Sequence, residues 1–336
     1  MKGRERWFVG GKVGCLCEME RSFTFARTRI APTPSGFLHL GNVAAFVRTV
    51  EMARVAGAHI LLRIDDLDRE RVEPEYVQDI FDTLNFLGLV WDEGPLDVES
   101  FEREWSQLHR MGLYHSALDT LRQEGHVFAC DCSRAQVLRD SVDGVYPGTC
   151  RDKGVSLDAE NVNWRLRTDD QEVGVRVLGG DVVKIEGSGL VAGQGVKMEE
   201  DGGERGGEEE VVVSRMATEV VKVGLPETMK DFVVRKRDGF PAYQLTSVVD
   251  DLYYNVDLVV RGEDLWASTV AQHFLAKRLG KEEAFGAISF YHHPLLIGEG
   301  GLKLSKSAGD TSIQFLRKQG FSAADIFAMI AKMRTS

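Results

Sequence analysis

Two short stretches carry residue types whose spacing suits phosphate chemistry. In HLGN, His39 offers a ring N–H, Gly41 has no side chain to block a ligand, and Asn42 can cap a helix. Far downstream, KLSKS holds Lys303 and Lys306 behind Gly298, Gly300 and Gly301, which permit a loop that closes over a nucleotide. A histidine donor and two lysines can hold polyphosphate oxygens as negative charge redistributes in a transition state. Asp65 and Asp66 are adjacent carboxylates suited to an ammonium group, and equally to a solvated turn. Cys130, Cys132 and Cys150 are thiols of the kind zinc prefers, with Tyr146, His126 and Asp152 open as a fourth ligand.

These groups need a scaffold. An apolar run enters at Arg29, a turn cluster from Pro32 to Gly36 interrupts it, and a helix opens with Asn42 as N-cap. Val43, Phe46, Val47 and Val50 fall on one face of that helix, and HILLRIDD (His59 to Asp66) reads as a buried strand. Strand, turn, helix and strand make the opening half of a doubly wound sheet, which meets ligands at strand carboxyl ends and helix N-termini. Pro74 opens a second helix with Val77, Phe81, Leu84 and Leu87 inward, and Gly88 ends it. Phe101 to Glu124 reads as a further helical stretch with Leu113, Ala117, Leu118 and Leu121 as its core stripe. NWRLRTDD reads as a strand before the pattern degrades. Order resumes where Asp238 and Gly239 form a hairpin turn between two strand-like runs, the second ending at Arg261 and Gly262. A helix from about Trp266 to Leu279, the strand ISFYHH, the glycine-rich loop and one or two short helices complete the chain.

At 336 residues and 43% hydrophobic content the chain is globular, and it lacks an apolar run of membrane-spanning length. Its first residues lack the apolar core of a secretory signal, so a cytoplasmic protein is expected. Five cysteines, an odd number, argue against a disulfide framework, and the isolated pair Cys15 and Cys17 reads as free thiols. The net charge of −11 disfavours a nucleic-acid partner at first sight, but residues 181–210 hold nine acidic and three basic side chains. The remainder carries only about −5, so basic patches can still meet RNA. Ten glycines in residues 179–207 prevent enough apolar burial to offset ordering, so 179–215 reads as a mobile surface insertion.

PTPSGFLHLGN together with KLSKS resembles the HIGH and KMSKS signatures of class I aminoacyl-tRNA synthetases, and RIAPTPSGFLHLG with RIDDLDRER resembles the glutamyl branch. The resemblance runs from about Thr28 to about Ile330 with one interruption. It implies an α/β fold: a Rossmann-like doubly wound parallel sheet, an inserted zinc-binding subdomain that meets an RNA acceptor, and a short helical C-terminus. The expected organisation is an N-terminal extension (1–26), a first catalytic half (27–125), the inserted subdomain (126–230), a second catalytic half (231–307) and C-terminal helices (308–336). The implied chemistry is activation of L-glutamate by ATP to glutamyl-adenylate, then transfer to RNA, by a monomer with Mg²⁺ entering alongside ATP.

The resemblance assigns roles as well. His39, Lys303 and Lys306 would be catalytic, with His39, Gly41, Asn42 and Lys306 on ATP. Arg29, Ala31, Thr33, Asp65, Tyr243 and Arg261 would hold glutamate, Arg261 or Arg29 reading the side-chain carboxylate by a guanidinium fork. The glutamyl-queuosine tRNA(Asp) synthetases of this branch use Cys-x-Cys, a tyrosine and a cysteine for structural zinc, which selects Cys130, Cys132, Tyr146 and Cys150. Only 29 residues follow Ser307, a further likeness to that group, which glutamylates the queuosine of tRNA(Asp) and activates glutamate without tRNA. A truncated glutamate–tRNA ligase charging tRNA(Glu) and a non-catalytic nucleotide- or RNA-binding paralogue are the alternatives. Three departures stand out: Asp65 replaces the usual Glu, Thr33 the usual Ser, and Ser247 an Asn of the tRNA-charging members.

Overall fold

The computed structural model describes residues 24–141, 144–179, 217–294 and 312–333. The expected N-terminal extension up to residue 23, the insertion from 180 onward, and the KLSKS stretch with Lys303 and Lys306 lie outside the described residues.

Strand β1 (Arg27–Ile30) leads through the proline turn into helix α1 (Leu40–Ala56), and β2 (His59–Leu62) returns parallel to β1. The N-cap of α1 is His39, not Asn42: Asn42 sits in the first turn and its side chain accepts from the His39 N–H, closing a capping box. Gly57, with φ at 68°, ends the helix in the left-handed conformation. The regular strand stops at Leu62, short of the expected Asp66. Single ladder-like bonds nevertheless continue, from the Arg63 N–H to the Ile30 carbonyl and from the Asp65 N–H to the Pro32 carbonyl.

Helix α2 (Pro74–Phe86) opens on its proline and buries Val77, Ile80, Phe81 and Leu84, with Asp79 and Thr83 on the same face. The next stretch is broken where one helix was expected. A short α3 (Val98–Ser100) runs into a π turn (Phe101–Trp105) and a 3-10 turn (Gln107–Arg110) before α4 (Met111–Gln123). Tyr114, Leu118 and Leu121 form the buried stripe of α4, and Leu113 is exposed. Strand β3 (Val127–Cys130), α5 (Arg134–Asp140) and β4 (Asn163–Leu166) follow.

The degraded pattern after NWRLRTDD conceals an antiparallel pair, β5 (Glu172–Gly179) and β6 (Ala217–Gly224), in register through Gly179 opposite Ala217. Strand β7 (Val233–Arg235) completes an antiparallel β3–β4–β7 sheet. The turn at Asp238 and Gly239 forms, but the run after it is helix α6 (Tyr243–Tyr253), not a strand. Its Val and Thr residues favour a strand, yet Gln244, Leu245, Val248 and Asp251 share one helical face that packs inward, and packing overrides propensity. Strand β8 (Leu258–Gly262), α7 (Trp266–Arg278), α8 (Glu282–Gly286) and β9 (Ser289–His293) lead to α9 (Ile313–Lys318) and α10 (Ala323–Met333).

A four-stranded sheet has the order β6–β5–β9–β8, with β5–β9 and β8–β9 parallel. Asp257 joins it to the β1–β2 pair. Its N–H donates to the Arg27 carbonyl and its carboxylate accepts from the Ala26 and Arg27 N–H groups at 2.7 and 2.9 Å. One buried cluster fills the space between β1, β2, α1, α2, α9 and α10, and a second lies under α4, α6, α7 and the larger sheet. The result is a mixed α/β fold in which β1 and β8 end side by side. Among the described residues no helix is long and apolar enough to cross a membrane.

Candidate active site

The carboxyl ends of β1 and β8, the proline turn and the start of α1 surround a cavity of about 980 Å³. Nine of the expected residues line it: Arg29, Ala31, Thr33, His39, Gly41, Asn42, Asp65, Tyr243 and Arg261. They come from four separated segments, and the two strand ends and two helix starts bring them together. Lys303 and Lys306 lie outside the described residues.

The floor is ionic. Arg63 donates from Nε to Asp65 Oδ1 at 2.7 Å and from Nη2 to Oδ2 at 3.1 Å, and from Nη1 to Asp251 Oδ1 at 2.7 Å. Arg29 Nε reaches the same Asp251 oxygen at 3.3 Å. Behind them Asp250 accepts both guanidinium forks of Arg110 at 2.9 and 3.0 Å, the Tyr114 hydroxyl at 2.7 Å and Gln107 at 3.0 Å. Burial opposes the charge on Arg63, but Asp65, Asp251 and Asp250 outweigh it and hold the guanidinium well above its usual range. Burial raises the Asp65 carboxyl against the pull of Arg63. Asp65 therefore has an arginine on it already, a neighbour the sequence reading did not foresee. Asp66 faces away and accepts from the Ser106 hydroxyl and the Gln107 N–H.

Arg261 differs from the other two arginines. It is buried, donates to Gln272 Oε1 at 2.9 Å, lies over the Phe290 ring, and forms no ion pair among the described residues. Its Nε has no hydrogen-bond partner among the described residues. Burial, with Arg29 nearby, lowers it to about 10, a value still charged at neutral pH. Arg29 and Arg63 thus share the carboxylates of Asp65 and Asp251, and of the three arginines Arg261 alone is left without one among the described residues. A buried guanidinium without a counter-ion favours an anionic ligand. Ser247, one of the three departures, is buried, and its hydroxyl has no partner among the described residues.

His39 caps α1 with its own ring: Nδ1 accepts from the Gly41 N–H at 3.2 Å. An accepting Nδ1 leaves the proton of the neutral ring on Nε2, a donor for a phosphate oxygen at a helix N-terminus. A Cβ on Gly41 would come within 3.1 Å of the His39 ring, so this glycine makes room for the histidine. The sequence reading gave that space to the nucleotide alone.

Arg63 and Asp251 are the members of the wall that the sequence reading missed. Arg63 alternates with Asp65 and so shares its side of an extended chain, a usable signal. Asp251 was hidden because its segment reads as a strand. Tyr76, Asp264 and His293 also line the cavity.

Away from the cavity, Cys130 at the end of β3 meets Cys132 and Cys150, the three sulfurs lying within 4.8 Å of one another. The Tyr146 oxygen accepts the Cys150 N–H at 2.9 Å and shares a hydrogen bond with the Cys130 thiol. Burial opposes it, but Tyr146 and Arg165 hold the Cys130 thiol below its usual range. Burial, Cys150 and Cys130 push the Cys132 thiol up to about 12. Thiols that crowd and repel each other's ionised form, beside a phenol oxygen, suit a tetrahedral dication. His126 and Asp152 do not join this cluster among the described residues.

The family model "tRNA synthetases class I (E and Q), catalytic domain" matches residues 26–170 and 209–336. The chain is 33% identical over 314 residues to the glutamyl-Q tRNA(Asp) synthetase of Nitratidesulfovibrio vulgaris, covering 91% of this chain and 86% of that protein. To the glutamyl-Q tRNA(Asp) synthetase of Symbiobacterium thermophilum it is 34% identical over 318 residues, covering 90% and 84%. A crystal structure of a glutamate tRNA ligase from Elizabethkingia meningosepticum, in complex with its amino acid, shares the fold with a TM-score of 0.58 at 22% identity. That alignment covers 88% of this chain, which spans about half (53%) of the solved ligase. The chain belongs to the class I aminoacyl-tRNA synthetases, in the family of the glutamate and glutamine enzymes, and is a ligase of that class.

Proposed function

We propose that the cavity activates L-glutamate with ATP and that the glutamyl group is passed to the queuosine of tRNA(Asp). The observation that carries the first half is Arg261, a buried guanidinium with no carboxylate partner among the described residues. The side-chain carboxylate of glutamate supplies that partner, whereas the neutral amide of glutamine does not. Arg261 would pair the side-chain carboxylate and Tyr243 would flank it. Asp65, sharing its oxygens between Arg63 and the substrate, would take the α-ammonium, while Arg29, Ala31 and Thr33 line the chain. The α-carboxylate oxygen then attacks the α-phosphorus, the bond to the bridging oxygen breaks, and pyrophosphate leaves. His39 Nε2–H, the first turn of α1 with Gly41 and Asn42, and Lys303 with Lys306 would neutralise phosphate charge, with Mg²⁺ entering on ATP.

The second half rests on the relatives named above and on the thiol cluster. Cys130, Cys132, Tyr146 and Cys150 would hold a structural zinc at the tip of the β3–β4–β7 sheet, stiffening the subdomain that meets RNA. The parallel pairs β1–β2 and β8–β9 would be the two halves of a Rossmann-like core. Radiolabelled glutamate transferred to bulk tRNA and mapped after ribonuclease T1 digestion tests this reading. Label on the anticodon fragment of tRNA(Asp) is expected. Label on the 3′-terminal adenosine of tRNA(Glu) would replace it with the truncated ligase.

A further inference from the structure

We propose that Asp79 is a positioning residue that splints the loop carrying His39, fastening it between α2 and α9. The inference rests on the proposed ATP chemistry of His39. Leu38, directly before His39, is buried, and both of its backbone polar groups are taken by distant elements. Its N–H donates to Asp79 Oδ2 at 2.9 Å, across 41 residues of sequence. Its carbonyl accepts the Ile313 N–H at 2.7 Å, and the adjoining His39 and Ser312 form an isolated antiparallel bridge. Phe37 packs edge-on to Tyr76 of α2, with centroids 5.0 Å apart. Arg317 of α9 acts electrostatically on the Asp79 carboxylate and lies over the Phe86 ring of α2.

Asp79 sits on the buried face of α2 among Val77, Ile80 and Leu84, where helical spacing calls for an apolar residue. A carboxylate placed there is unfavourable unless a specific partner needs it. Besides the Leu38 N–H, its one other hydrogen-bonding neighbour among the described residues is the Thr83 hydroxyl, at 3.4 Å. The consequence for the site follows from the histidine cap. With Nδ1 committed to Gly41, the His39 ring cannot swing independently, so the position of Nε2 is set by the peptide between Leu38 and His39. Asp79 holds that peptide from one side and α9 from the other.

The test compares Asp79→Ala, Asp79→Asn and Asp79→Glu in glutamate-dependent ATP–pyrophosphate exchange. Asp79→Ala is expected to lower kcat by about 10- to 100-fold and to raise the KM for ATP, because a displacement near 1 Å is that damaging to a transition state. The KM for glutamate should stay within about twofold, since Arg261 and Asp65 sit on other elements. Asp79→Asn keeps an oxygen for the Leu38 N–H and should restore most of the kcat. Hydrogen exchange over residues 36–43 should speed up in Asp79→Ala while the amides of α2 keep their protection. A folded Asp79→Ala with kcat and ATP KM within twofold of the wild type would overturn the inference, as would equal damage from Asn and Ala. If Asp79→Ala does not fold, Asp79→Glu, which pushes the carboxylate toward Leu38, must show the same selective loss on ATP, or the inference fails. A wild type without exchange would instead remove the functional reading, and the hydrogen-exchange comparison would still decide the splint.

Discussion

Replacing Arg261 with methionine separates binding from folding. In the free protein the guanidinium is buried without an ion pair among the described residues, and burial lowers it to about 10 from its usual value. That depression corresponds to about 3 kcal/mol against the charged form. Methionine removes this penalty, but gives up the bonds to Gln272 and Tyr243 and the contact over Phe290, together about 3 kcal/mol. The free variant is therefore expected within about 1 kcal/mol of the wild type in urea unfolding. Glutamate binding should behave otherwise. Loss of two charge-assisted hydrogen bonds is worth about 3 to 4 kcal/mol, a rise in the KM for glutamate of roughly 100- to 1,000-fold. The assay is glutamate saturation of ATP–pyrophosphate exchange, with the ATP KM as internal control. A glutamate KM within threefold of the wild type, or a variant several kcal/mol less stable with unchanged glutamate affinity, would refute the argument and make Arg261 a structural residue.

Other outcomes follow from the same geometry. Burial tends to raise Asp250, but Arg110, Arg63 and Gln107 outweigh it and hold its carboxyl below the usual range. Its stabilisation is thus complete above about pH 4 and is lost as pH falls through the lower native value. Asp250→Asn should cost about 3 kcal/mol at pH 7 and clearly less at pH 3 in urea titrations, and an equal loss at both would contradict the assignment. Gly41→Ala should push its new Cβ against the His39 ring, raising the ATP KM with little change for glutamate; unaltered ATP kinetics would show that the cap tolerates the methyl. Elemental analysis should find about one zinc per chain, lost in Cys132→Ser together with thermal stability. An equally stable, metal-free wild type would remove the zinc reading.

The cavity was legible in the sequence wherever local rules and position coincide. The turn cluster, HLGN and the following helix sit together, and RIDD directly follows the next strand, so His39 and Asp65 could be placed at one edge from spacing alone. What escaped was decided by tertiary contact. The segment Tyr243–Tyr253 reads as a strand by composition, and only the packing of Leu245, Val248 and the two aspartates against distant arginines makes it a helix. The sharing of Asp251 between Arg29 and Arg63 joins residues some two hundred positions apart, beyond any local pattern. Strands β5 and β6 were lost because their pairing flanks a glycine-rich acidic run that dominates the local composition. The identity of the N-cap turned on a histidine ring acting as acceptor, where Asn42 is the commoner choice by type.

Glutamate-dependent ATP–pyrophosphate exchange in the absence of tRNA tests the central claim, that this cavity activates glutamate by itself. The account predicts exchange with glutamate and none with glutamine, whose neutral side chain leaves the Arg261 guanidinium without a counter-ion. Absence of exchange with glutamate when no tRNA is present would contradict it.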